Sequence, residues 1–192
     1  MDAHARPLGR PRSEDARLAV LRAVDDMLVE QGYAAMTMKG IAERAKVGRQ
    51  TVYRWWSSKA EILLEASAAD AVRELTIAPG PDAEADVTAF LTALSEFLTS
   101  SDAGLAYRAL LGEAQHDTRV AELLRGTDVL GDAARDFIGR VRERGALATV
   151  AAGETAALAA ELVGPTLFRT LVEGWAGDPA EIRGMARRFL AR

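Results

Sequence analysis

The sequence predicts an all-α protein, and three observations carry that expectation. No stretch alternates polar and apolar residues at a period of two, so strands are not expected. Apolar residues recur instead at spacings of three and four, and alanine and leucine dominate the chain beyond Pro79-Gly80-Pro81. The breaks between these runs fall at glycines, prolines and short Ser/Asp clusters, the residues that cap and stop helices.

Composition narrows the class further. With 49% hydrophobic and 27% charged residues, the 192-residue chain has the make-up of a folded globular protein. It has no cysteine, which excludes disulfides and thiolate metal sites. No apolar run approaches the roughly 20 residues that span a bilayer, and none follows Met1 as a signal peptide would. A cytoplasmic protein with no membrane association is expected. The net charge of −4 is unevenly spread: residues 1–60 hold 11 Lys+Arg against 7 Asp+Glu, and the rest hold 13 against 21. That asymmetry suits an N-terminal part that meets a polyanion.

Along the chain, Arg6-Pro7-Leu8-Gly9-Arg10-Pro11-Arg12 lacks apolar periodicity, so residues 1–12 read as a flexible basic arm. Within it, Gly9-Arg10-Pro11-Arg12 has the arginines of a minor-groove hook. Ser13 suits the N-cap of a first helix, whose inner face is Val20, Leu21, Val24, Met27 and Leu28 and which Gly32 ends as a left-handed cap. Thr37 caps a short second helix with Ile41, Ala42 and Ala45 inward. After the break at Lys46-Val47-Gly48, a third short helix turns Val52 and Trp56 inward. Ser58-Lys59-Ala60-Glu61 is a capping box that opens a fourth helix through Ile62, Leu63, Leu64 and Ala66. Beyond the prolines, helices are expected near 83–100, 104–116, 118–144, 153–173 and 179–191, with Gly126 and Gly131 able to split the third of these.

Residues 45–59 gather two of the three tryptophans and four cations with no carboxylate. Two short helices around a tight turn, the second one basic, fit a helix-turn-helix. The inward anchors leave Arg49, Gln50, Tyr53 and Arg54 facing away, with Trp55 at the boundary. Arginine pairs with guanine and glutamine with adenine in a bidentate way, which makes Arg49 and Gln50 the expected base readers. Lys59 and the amides that open the fourth helix suit a phosphate.

At fixed spacing, Gly32-Tyr33, Thr37, Ile41-Ala42, Ala45, Val47, Thr51-Val52-Tyr53, Trp56, Ser58-Lys59 and Leu63 resemble the DNA-binding region of the tetracycline-repressor (TetR) family. The resemblance covers residues 13–66. It implies that Thr37, Tyr53 and Lys59 meet the DNA backbone, and that Gly48, Arg49, Gln50 and Trp55 face the bases. The chain departs from the family pattern at the turn, where Lys46-Val47-Gly48 replaces Gly-Val-Ser. Gly48 has no hydroxyl to offer DNA, and either Lys46 takes a positive φ or the turn differs locally.

The resemblance also implies domains at 13–59 for DNA and 60–192 for a helical bundle that dimerises and binds a small, largely apolar effector. A homodimer also doubles the short site that one recognition helix covers, giving a palindromic operator. For the effector pocket the expected residues are Phe90, Leu94, Phe97, Tyr107, Leu111 and nearby aliphatics, with Arg108 and Gln115 as polar anchors. For the dimer face they are Ala160, Val163, Leu167 and Leu171 on one helix, and Met185 and Phe189 on the next. Neither a catalytic set nor a cofactor loop is present. Of the two histidines, His4 lies in the arm, and the half-site Glu113-x-x-His116 has no second pair to complete a metal centre. The reading is a DNA-binding regulator, expected to be a repressor; the alternative is a helical protein–protein adaptor.

Overall fold

The computed structural model describes the backbone of residues 10–147 and 152–191, and side chains from residue 14 onward within those ranges except at 152. Residues 1–9, with His4, lie outside the described residues, as do the side chains of the arginines in the predicted hook. All regular structure described is helical, and the chain forms two compact units that divide between Ala66 and Ser67.

The first unit holds α1 (Arg10–Ala35), α2 (Met38–Ala45), α3 (Arg49–Trp55) and the first residues of α4 (Lys59–Glu74). Val20, Leu21, Val24, Met27 and Leu28 of α1 are buried together with Ile41, Ala42, Val52, Trp56, Ile62, Leu63 and Leu64. Helices of eight and seven residues do not persist alone in water, so these buried side chains are what hold α2 and α3. Two expectations need correction here. The helix is already formed at Arg10, so Ser13 is an interior residue and not its N-cap. Gly32 does interrupt α1, but with φ 74° and ψ 164°, outside the left-handed helical well and in a region open only to glycine; a last turn follows it before Ala35.

The second unit is built round α5 (Ala83–Ser100), which packs against α6 (Asp102–Glu113), α8 (Val129–Glu143), α9 (Thr155–Phe168) and α10 (Pro179–Leu190). Val87, Phe90, Leu91, Leu94, Phe97 and Leu98 are all at most 1% exposed, which leaves α5 apolar on most of its surface. Phe90 stacks on Phe137 of α8 with ring centroids 4.4 Å apart. Ser101 alone separates α5 from α6, ending one and capping the other, so α6 starts before the predicted 104. At Gly104 an added Cβ would lie 1.7 Å from the Phe97 carbonyl oxygen, and only glycine allows the two helices to meet there.

The predicted helix at 118–144 is two helices, α7 (Thr118–Gly126) and α8, because the Asp128 carboxylate accepts from the Gly131 N–H and starts a new helix. The predicted helix at 153–173 is α9 followed by a π-helical turn at Arg169–Glu173. Its end is pinned by Arg169, whose guanidinium lies over the Trp175 ring at 4.3 Å and donates to Glu173 and Glu181. The Asp86 carboxylate, 5% exposed, accepts from Arg144 and from the Gly80 N–H, and so fixes the segment before α5 to the end of α8.

Candidate nucleic-acid interface

Each element of the helix-turn-helix is fixed by its own ends. The Thr37 hydroxyl, exposed, accepts from the Gly40 N–H at 3.0 Å and starts α2. Lys46 ends α2 in the left-handed region (φ 54°, ψ 34°), its N–H bonded to the Glu43 carbonyl at 3.2 Å. A side chain in that conformation costs on the order of 1 kcal/mol relative to glycine. Gly48 then caps α3 through its backbone alone.

Buried anchors and exposed side chains separate as the spacing predicts. Val52 is fully buried and Trp56 is 3% exposed, its indole Nε1 donating to Glu65 at 2.7 Å. Glu65 also pairs with Arg17, which ties α1 to the residue closing α3. Gln50 and Arg54 are exposed, and so is Tyr53 at 54%. Trp55 is half-buried, edge-on to Trp56 with centroids 5.5 Å apart, and the Arg54 guanidinium sits near its ring. Thr37, Gly48, Arg49, Gln50 and Tyr53 are therefore all solvent-facing, on α2, α3 and the turn between them.

Three partnerships were not legible in the sequence. The Arg49 guanidinium donates to Glu43 on α2 at 2.7 Å, and the same carboxylate lies 4.0 Å from Lys39. Arg44 pairs with Glu30, and that hydrogen bond holds the Glu30 carboxyl below the usual carboxylate range. The Lys59 ammonium donates to the carbonyls of Tyr33 (2.7 Å) and Met36 (3.1 Å) and lies 4.0 Å from the centre of the Tyr33 ring. Lys59 thus fastens the end of α1 to the start of α4. At that start Ser58 accepts from the Glu61 N–H at 3.2 Å, but Glu61 turns back to the Ser57 N–H rather than to Ser58, so the capping box is shifted by one residue.

In the second unit, Phe90, Leu94, Phe97 and Tyr107 are packed core, at most 7% exposed. Burial, helped by the charge of Asp128, pushes the Tyr107 hydroxyl up to about 12. Arg108 donates to the Leu98 carbonyl, and Gln115, exposed, donates to the Leu111 carbonyl. Of the residues expected to line a pocket, the aromatics and Leu94 are thus core, Arg108 and Gln115 are bonded to nearby carbonyls, and Leu111 is half-buried. Two apolar clefts lie elsewhere: one of about 180 Å³ between α9 and α10, and one of about 110 Å³ where Ala68, Val72 and Leu75 of α4 face Val129 and Ala133 of α8. Both are smaller than the roughly 300–1,000 Å³ of typical ligand pockets.

Of the expected dimer residues, Ala160 and Leu171 are exposed and Leu167 is half-buried, whereas Val163, Met185 and Phe189 are buried within the unit. Phe168 (58%) and Val172 (66%) join the exposed set. His116 is exposed beyond the end of α6. Among the described residues no group of acidic or histidine side chains could hold a metal, and no helix is long and apolar enough to cross a membrane.

Comparison with known proteins agrees with this geometry. Residues 20–66 match the family described as bacterial regulatory proteins of the tetR family, and residues 77–189 match the tetracyclin repressor-like C-terminal domain. The HTH-type transcriptional regulator YdeS of Bacillus subtilis is 38% identical over 117 residues, 61% of this chain and 59% of that protein. The regulator Mb1581 of Mycobacterium bovis is 35% identical over 69 residues, 36% of this chain and 32% of its own length. The matched stretch therefore spans less than two thirds of either relative. The crystal structure of the TetR family transcription regulator SCO0332 superposes with a TM-score of 0.77 at 26% identity, covering 92% of this chain and 97% of that one. The multidrug binding protein EbrR, solved with imidazole, shares the fold at a TM-score of 0.66 and 17% identity, covering 99% of this chain and 97% of its own. With both of its units matched, the chain belongs to the TetR family of DNA-binding, HTH-type transcriptional regulators.

Proposed function

We propose that the chain acts as a homodimeric repressor in the cytoplasm, binding a DNA site of two-fold symmetry and released from it by a small, largely apolar molecule. The observation that carries this reading is the outward set of α3, Arg49, Gln50 and Tyr53, standing on the buried anchors Val52 and Trp56. In that arrangement Arg49 and Gln50 read base edges, with Trp55 a weaker reader beside them, Tyr53 and Thr37 bind the backbone, and the Gly48 backbone lets α3 approach the groove closely. Lys59 serves by holding α1 against α4, since its ammonium is engaged by two carbonyls.

The test is selection of genomic fragments by the purified protein, followed by affinity measurements on the selected duplex. An inverted repeat whose affinity falls steeply with salt is expected. Salt-independent capture, or none, would instead favour the adaptor. On the selected duplex, Arg49→Ala should cost about 1–3 kcal/mol and relax the choice of base at one position per half-site. The observed loss should sit toward the low end, because wild-type Arg49 must first leave Glu43. A loss that is equal on every sequence would remove Arg49 from the base readers.

Support for the dimer comes from Phe168, Leu171 and Val172, large apolar side chains exposed together at the end of α9 and its π turn. Phe168→Glu is expected to raise the dimer dissociation constant by at least about tenfold, as burying an unpaired charge at an interface would. Sedimentation equilibrium reads it, and an unchanged constant moves the interface elsewhere. For the effector, the cleft between α4 and α8 is the seat we favour: it is apolar, and Asp132, Asp136 and Arg140 supply polar anchors at its edge. At about 110 Å³ it must widen to take a ligand, so the effector would select an opened form of the unit.

A further inference from the structure

We propose that Lys46 is a DNA-phosphate contact, retained in the turn between α2 and α3 against the conformational preference of its own backbone; the inference rests on the DNA-binding reading above. The first observation is the left-handed conformation at a residue with a Cβ (φ 54°, ψ 34°). The hydrogen bonds that close the turn use no side chain of Lys46. The bonds that close α2, from the Lys46 N–H to Glu43 and from the Val47 N–H to Ala42 (3.0 Å), are backbone bonds that glycine would make without strain.

The second observation is charge. Five cations lie between Met38 and Trp55. Lys39 and Arg49 face Glu43, Arg44 is held by Glu30, and Arg54 sits by the Trp55 ring. Lys46 is exposed and, among the described residues, its ammonium meets no carboxylate. A strained backbone carrying an unneutralised charge spends stability on something outside the unit.

Position names that something. Lys46 is the first residue after α2 and stands three before Arg49, where α3 begins. In a helix-turn-helix the first helix crosses the sugar-phosphate backbone and the N-terminus of the second enters the major groove. A flexible lysine at their junction meets the phosphates along the groove edge rather than the bases, and acts as a point charge. The contact adds affinity for any duplex and leaves sequence choice to Arg49 and Gln50.

The same chain supports the test. Wild type, Lys46→Gly, Lys46→Ala and Lys46→Arg are titrated against the selected duplex and a scrambled one across a salt series, and each is melted. Lys46→Gly is expected to melt a few degrees higher than wild type, because glycine relieves the strain. It should make the slope of log affinity against log salt shallower by about 0.9 for each Lys46 engaged, so about 1.8 for a dimer. At 0.1 M monovalent salt that slope corresponds to a loss of about eightfold per contact, the same on both duplexes. Lys46→Ala should lose affinity equally with no thermal gain, and Lys46→Arg should keep both slope and affinity.

Wild-type slopes in the Gly and Ala variants would overturn the contact while leaving DNA binding intact, and so would a loss confined to the selected duplex. A lower melting temperature for Lys46→Gly would show that the side chain serves the turn or the α2 dipole, and would overturn it as well. Salt-independent behaviour of wild type itself would remove the DNA-binding reading and the contact together.

Discussion

Replacing Trp56 by alanine is expected to unfold the DNA-binding unit while leaving the second unit intact. The side chain is 3% exposed, braces Trp55 edge-on and donates its indole N–H to Glu65 at 2.7 Å. Truncating a buried tryptophan costs about 3–5 kcal/mol. A unit of this size has a total stability on the order of 3–10 kcal/mol, so the loss removes most or all of it. Amide exchange resolves the two units: the N–H groups of α2 and α3 should exchange at nearly unfolded rates, and those of α5 should stay protected. Trp56→Phe keeps most of the volume but takes away the Glu65 donor, and should cost about 1–2 kcal/mol. Protection of α3 within twofold of wild type in Trp56→Ala would show that α3 is held by something other than this anchor.

The second large effect is expected at Asp86. Its carboxylate is buried and takes both the Arg144 guanidinium and the Gly80 N–H, while Arg144 also donates to the Gly80 carbonyl at 2.8 Å. Breaking a fully buried pair costs about 3–5 kcal/mol. The Arg144 side chain is 39% exposed and can turn to water, so Asp86→Ala should cost the second unit about 2–4 kcal/mol. Asp86→Asn separates the two contributions, since it still accepts from Gly80 but no longer pairs with Arg144. Denaturant unfolding of the second unit measures both variants. A loss below about 1 kcal/mol in Asp86→Ala would mean that the segment before α5 is held by its apolar residues alone.

How much of this was legible in the sequence follows from which signals are local. Thr37, Gly48 and Ser58 act within three residues of themselves, and each caps the helix the sequence assigns to it. Val52 and Trp56 are buried as helical spacing requires, since a seven-residue helix has one inner face. The failures are long-range or share a signature with something else. Phe90, Leu94 and Phe97 have the composition of a pocket wall and of a core alike, and only packing tells the two apart. The Arg49–Glu43 and Lys59–Tyr33 pairings span a turn and two helices, beyond any periodicity. Asp128 was a missed local signal: an aspartate two residues after Gly126 and three before Gly131 is a helix cap.

The π-helical turn after α9 has a consequence for how this region can change over time. Arg169–Glu173 closes with the Gly174 N–H bonded to the Arg169 carbonyl five residues back, so the segment holds one residue more than an α-turn uses. Deleting that residue would restore a plain α-helix, and adding one elsewhere would rotate every later side chain by about 100°. Chain length at this point, more than residue identity, therefore sets the direction in which Leu171 and Val172 face. A single codon gained or lost between Phe168 and Leu171 would turn Leu171 and Val172 away from Phe168 and split the apolar surface at one step.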